Sequence, residues 1–203
     1  AYGEMRGDAF YNNAFNVNAD KVVNNSLDNN IFWASWYNYY RVIKQANAVI
    51  KFTPQVLEAG GISAEKADDV MGQAYCLRAF TYFWIIRIWG DAPLVTAPYL
   101  DSNDSFDLPK AAVADIVEQI HSDLENASNM IDKNSTSRTT FTQTAAYAIN
   151  AHVYAWEHKY EETINMADKV LTNTNYTLAN LYDEKYTGTT DDVKNKNFKA
   201  LVQ

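Results

Sequence analysis

The sequence predicts an all-α protein of long helices, and three observations point there. Seven glycines and four prolines punctuate 203 residues, too few for the turn density of an all-β domain. The prolines (Pro54, Pro93, Pro98, Pro109) fall at apparent segment boundaries. Between residues 30 and 172, apolar side chains recur in steps of three and four, the period of one helical face. A content of 47% hydrophobic and 14% aromatic residues is enough for a sizeable core. With 17 basic residues against 25 acidic ones the net charge is −8, which repels a phosphate backbone, and no Lys/Arg cluster offsets it. Nucleic acid is therefore not an expected partner.

Residues 1–29 read as irregular: Tyr2, Phe10, Tyr11 and Phe15 are scattered among seven asparagines with no sustained period. A loop of that length and aromatic content is expected to be functional or ordered by a partner. From Asn30, the stripe Trp36, Tyr40, Ile43, Asn47, Ile50 predicts a helix that Pro54 stops, with a short turn before Gly60-Gly61. Ser63 suits the N-cap of a second helix with the stripe Val70, Ala74, Leu77, Thr81, Trp84, Ile88. Gly90 just past its end supplies a left-handed cap, and Pro93 prevents continuation. Its circumference is mostly apolar, which predicts a central position between layers. A loop over 94–108 follows, then a helix from about Pro109 with the stripe Val113, Ile116, Ile120, Leu124, Ala127, Ile131. A fourth helix, about Thr142–Glu157, is lined by Ala145, Ala148, Ala151 and Ala155. The fifth starts two or three residues later with Tyr160, Ile164, Ala167 and Leu171 on one face, so the two must lie antiparallel. Helix pairs of this kind suggest a tetratricopeptide-like solenoid. After Tyr176 the chain turns polar, and it ends on the short apolar run Asn197–Gln203.

Catalytic and metal chemistry find little support. The single cysteine, Cys76, lies in an apolar helical stretch and reads as a small buried side chain. His152 and His158 are six residues apart, which on a helix points them in different directions, and His121 stands alone, so no metal site is expected. Asp101, Asn103, Ser105 and Asp107 alternate like the start of a calcium loop. However, Phe106 occupies the position that requires glycine, and Ala112 that of the bidentate acid. No nucleophile elbow, zinc-protease, phosphate-loop or dinucleotide motif is present, and adjacent acids such as Asp68-Asp69 and Glu161-Glu162 suit solvated faces. No cofactor is expected. Arg78 and Arg87 lie within the most apolar helix and need carboxylate or carbonyl partners there. The most apolar run, Ala79–Trp89, is too short to span a membrane, so any membrane attachment is expected outside these residues.

The segment from Ala74 to Phe83 (Ala-Tyr-Cys-Leu-Arg-Ala-Phe-Thr-Tyr-Phe), followed by Arg87-Ile-Trp-Gly-Asp-Ala-Pro-Leu94, resembles the signature of the SusD/RagB family of Bacteroidetes surface nutrient-binding lipoproteins. Four further segments resemble that family in order. Trp36, Tyr40, Ile43, Ala46 and Asn47 match its first helix, and Ile116, Ile120, Asp123, Leu124 and Ala127 a later one. The run Arg138–Tyr154 and the set Ala167, Val170, Tyr176, Leu178 match its closing helices. Thr163 and Ser137 depart from the common pattern, and no Pro-Glu-x-Ile-x-Phe segment follows residue 185.

What the resemblance implies is a single amino-terminal helical domain over 1–203. It would have an irregular region at 1–29, a helical core at 30–172 and an irregular stretch at 173–203 leading into a carboxy-terminal lobe. It further implies a non-catalytic, lipid-anchored outer-membrane protein that captures glycans for a TonB-dependent (SusC-like) transporter, with ligand contacts made by loops. Sugar rings stack on aromatic faces and their hydroxyls bond amide and charged groups. Arg6, Asp8, Phe10, Tyr11, Asn12, Asn13 and Trp33 supply that inventory and are the expected ligand residues. The same residues also suit a loop packed on the helices by its own aromatics. The alternative function is a tetratricopeptide-like interaction scaffold or peptide-capturing lid without sugar affinity.

Overall fold

A computed structural model describes residues 17–24, 26, 28, 34–100 and 107–173. The chain divides into two compact units, residues 1–41 and 42–203. Among the described residues the regular structure is helical, apart from a one-residue antiparallel bridge between Ala92 and Ala111.

In the first unit, α1 (Val17–Val23) occupies part of the stretch expected to be irregular. Ala19 and Val22, three apart, are buried on one side of it, which is enough apolar periodicity for two turns. Lys21 then pairs with Asp28 across its end at 2.6 Å. Helix α2 (Tyr37–Glu58) starts at Tyr37, later than the expected Asn30; residues 29–33 lie outside the described ones. It also runs through Pro54, which was expected to stop it. Pro54 is exposed, and the helix continues through it at the loss of one backbone bond.

The second unit is built around α3 (Ala64–Trp89). Ser63 caps it by accepting from the Lys66 N–H, and Gly90 closes it at φ 72, the left-handed conformation that favours glycine. Helix α3 packs on α4 (Val113–Met130), α4 on α5 (Gln143–Trp156), and α5 on α6 (Tyr160–Leu171). The expected stripe of α4 is its core face: Ile116, Ile120, Leu124, Ala127 and Ile131 are all buried. Each large aliphatic among them contributes roughly 1.5–3 kcal/mol. Gly72 permits the close approach of α3 to the end of α4, since a Cβ there would lie 2.6 Å from Ile131 Cγ1. Thr142 caps α5 through the Ala145 N–H.

Two expected faces are corrected. On α3 buried residues lie round most of the helix, Cys76, Arg78, Ala79, Tyr82, Ile85 and Ile86 among them; of the expected stripe Ala74 and Thr81 are buried, whereas Leu77 and Trp84 are 38% and 36% exposed. With apolar residues almost all round, periodicity could not choose the side; α4 and α5 did. On α6, no residue is buried, and Tyr160, Ile164 and Leu171 are more than half exposed. The amphipathic pattern is real, but α5 meets its Met166 and Val170 side.

Candidate functional site

Three polar side chains in the core of the second unit converge on the segment that leaves α3. Arg78 forms a bidentate pair with Asp123 of α4, Nε to Oδ2 at 2.7 Å and Nη2 to Oδ1 at 2.6 Å. Both side chains are sealed from solvent, at 4% and 0% exposure, so the pair costs desolvation that its geometry must offset. Gln119 donates to the same carboxylate at 2.8 Å. The remaining guanidinium nitrogen, Nη1, donates to Asn47 Oδ1 of α2 at 2.6 Å and to the Thr96 carbonyl at 3.1 Å. Asn47 Nδ2 donates to the Val95 and Ala97 carbonyls at 2.9 and 3.2 Å. The Tyr82 hydroxyl accepts from the Val95 N–H at 2.7 Å and donates to the Val95 carbonyl at 3.1 Å. Burial pushes the Tyr82 phenol up to about 12, against the hydrogen bond at Val95 and the charge of Arg78, so it keeps its proton.

Residues 93–100 are thus an irregular strap whose inner backbone groups are bound by buried side chains of α2 and α3. Its outer surface presents Thr96 and Ala97, the half-buried Tyr99 and the 62% exposed Leu100. The strap's base is fixed where the Ala111 N–H bonds the Ala92 carbonyl and Asp91 accepts from the Val113 N–H at the start of α4.

A groove of about 630 Å³ lies beside α3, between α2 and the α4–α5 loop. Its walls are mostly apolar (Ala46, Val49, Val70, Leu77, Phe141), with Arg138 at the rim. Gln73 holds the loop in place by bonding both the N–H and the carbonyl of Phe141. Further along α3, Phe80 meets Trp84 edge-on and Phe141 at a tilt, and Phe83 meets Trp156 edge-on. Arg87, expected to need a carboxylate or carbonyl partner, has the second: Nε donates to the Phe83 carbonyl. The side chain is exposed, not buried, and its guanidinium lies 4.3 Å from the Phe83 and Trp84 ring centres on the solvent side of α3.

His121, solitary in the sequence, is enclosed by α5. Its Nδ1 lies 2.6 Å from Asn150 Oδ1, its Nε2 2.6 Å from Glu157 Oε2, and its ring stacks on Tyr154 at 4.0 Å. Glu157 also pairs with Lys159 at 2.8 Å. Burial works to raise the Glu157 carboxyl, but the bonds from Lys159 and His121 outweigh it and hold it below its usual 4.5. Cys76 is fully buried, and burial together with the nearby Asp123 pushes its thiol up to about 12, which makes it inert. Among the described residues, no three His, Cys, Asp or Glu side chains group as metal ligands, and no helix is long and apolar enough to cross a membrane.

The expected ligand residues Arg6, Asp8, Phe10, Tyr11, Asn12, Asn13 and Trp33 lie outside the described residues, as do Asp101, Asn103 and Ser105 of the calcium-like loop and the run Asn197–Gln203. Asn47, Tyr82 and Asp123 each fall in a segment that the sequence analysis matched, but their meeting around Arg78 was not read from it. Their signal was a polar residue inside an apolar stripe, Asn47 between Ile43 and Ile50 and Asp123 beside Leu124.

Comparison with known proteins agrees with this architecture. The chain is 27% identical over 183 residues to the SusD-like protein P38 of Formosa agariphila, an overlap of 87% of this chain and 34% of that one. It is 30% identical over 158 residues to the SusD-like protein P2 of the same organism, covering 75% of this chain and 30% of the relative. The chain therefore spans about a third of the length of these curated relatives. Among solved structures, a SusD superfamily protein from Bacteroides vulgatus superposes with TM-score 0.74 at 23% identity, over 90% of this chain and 39% of the other. A laminarin-binding SusD-like protein superposes with TM-score 0.72 at 20% identity, over 86% and 39%. These likenesses show the fold: an all-α assembly of tetratricopeptide-like helix pairs. Residues 1–155 match the family described as starch-binding and associating with the outer membrane, and on that match the chain belongs to the SusD-like family.

Proposed function

We propose that this chain is the helical part of a non-catalytic cell-surface protein that captures glycans and delivers them to a TonB-dependent outer-membrane transporter, held at the membrane by a lipid anchor outside these residues. The observation that carries the reading is the match of residues 1–155 to a family described as starch-binding and outer-membrane-associated. The laminarin-binding relative supports a glycan over other nutrients. In this reading Trp33 is the main stacking platform, Phe10 and Tyr11 add ring faces, and Arg6, Asp8, Asn12 and Asn13 bond the sugar hydroxyls.

The test is native affinity electrophoresis of the chain in gels containing soluble starch, laminarin or other plant, microbial and host polysaccharides. Retardation by at least one is expected, and migration unchanged by all of them overturns the glycan reading for this chain. Trp33→Ala is expected to weaken retardation about ten-fold, the worth of one stacked ring, with little change in thermal midpoint. A large fall in midpoint at unchanged affinity would place Trp33 in the core instead.

A specific observation favours a second reading, in which the helices form an interaction scaffold. The exposed Tyr160, Ile164 and Leu171 on α6 leave an apolar face of the kind that meets another polypeptide. That reading predicts no retardation by any polysaccharide.

A further inference from the structure

The strap over residues 93–100 presents a physical puzzle. A buried Arg–Asp pair adds little net stability over well-packed apolar residues of the same volume, because desolvation consumes most of its Coulombic gain. What apolar residues could not do is bind four backbone groups of an irregular segment. Asn47, Arg78 and Tyr82 take the Val95 N–H and the Val95, Thr96 and Ala97 carbonyls from three directions. The core's polar investment is thus directed outward, at one short stretch of chain.

That stretch faces solvent with a ring, a hydroxyl and an exposed aliphatic side chain. Tyr99 is half-buried, and its neighbours in the strap, Thr96 and Leu100, are exposed. The bound backbone removes the loop-ordering cost that a flexible segment would meet on binding. An aromatic surface beside a hydroxyl, on a preorganised edge, is the chemistry that receives a sugar ring.

We infer that residues 96–100 form a glycan-contacting edge centred on Tyr99, and that Asn47, Arg78 and Tyr82 are its positioning residues. The inference rests on the glycan reading above. It assigns the strap a binding role and gives the buried polar cluster a function beyond stability.

The experiment uses the same electrophoresis in soluble starch and laminarin, with melting temperature and amide hydrogen exchange as companion readouts. Tyr99→Ala is expected to weaken retardation about ten-fold, and Tyr99→Phe, which keeps the ring, to rescue it. Tyr82→Phe removes the acceptor of the Val95 N–H. It is expected to speed exchange at Val95 more than ten-fold and to weaken retardation, a pair of effects that a purely structural role would not join. Retarded wild type with equally retarded Tyr99→Ala, or faster Val95 exchange in Tyr82→Phe without loss of affinity, overturns the inference and leaves the glycan reading standing. Wild type retarded by no polysaccharide of the wider panel removes the reading itself and the inference with it; a polysaccharide that does retard it replaces starch and laminarin in the comparison.

Discussion

Arg78 carries the strongest consequences of any single side chain. Its four hydrogen bonds reach a carboxylate on α4, an amide on α2 and a strap carbonyl, so removing it strands Asp123 as an unpaired buried charge. Arg78→Met is expected to destabilise the protein by about 3–5 kcal/mol. Pairing it with Asp123→Leu should recover much of that loss, and chemical denaturation of the two variants distinguishes the cases. Glu157 makes the opposite kind of prediction, because it is only partly buried and acts through pH. Its carboxyl is held below the usual 4.5, so it contributes stability that is fully present above that value and is lost as pH falls through the lower folded value. Glu157→Gln should therefore be less stable than wild type at neutral pH, and the gap should close toward acid. A gap that stays constant down to strongly acid pH would contradict the assignment. The sequence announced Arg78 as a paired residue because an arginine in an apolar helix must find a partner. It could not announce the His121–Asn150–Glu157 cluster, whose members are 29 and 36 residues apart and meet only through the packing of α4 on α5.

The buried face of α4 was legible, and those of α3 and α6 were not: α6 has a single stripe, but α5 meets only its Met166 and Val170 side. The stripe of α4 faces the core as its spacing required, since most of its other positions are polar and the buried Val117 adjoins the stripe. Helix α3 offers apolar residues on nearly every side, so the choice of buried face rested with its neighbours, and Leu77 and Trp84 were left outside. Pro54 shows a different limit. Its rule is energetic, a bond lost and a clash with the preceding turn, and a 22-residue helix with buried Ile43, Ala46, Asn47 and Thr53 can carry that loss. The cost should then be recoverable. Pro54→Ala, at an exposed position in a helix interior, is expected to raise stability by about 1–3 kcal/mol. An increase in the thermal midpoint would show it, and a decrease would mean that the fixed backbone of Pro54 serves the end of α2.

At the scale of the whole chain, charge separates the kinds of glycan that the proposed binding would accept. A net charge of −8 repels sulfated and uronate-rich polymers at a distance, while a neutral polysaccharide feels none of that field. Stacking and hydroxyl hydrogen bonds act at contact range and are little affected by screening, whose length shrinks from roughly 14 Å near 0.05 M salt to about 4 Å near 0.5 M. Retardation by a neutral glucan should therefore change less than about two-fold between those salt concentrations. A sulfated glucan should not retard the chain at the lower one. If salt instead abolished binding, the charged pair Arg6 and Asp8 or the cationic side chains Arg87 and Arg138 would have to carry the affinity. The aromatic contacts at Trp33 and Tyr99 would then be secondary. A salt-insensitive neutral glucan site would leave the negative surface a single role, the exclusion of anionic polymers from a platform of rings.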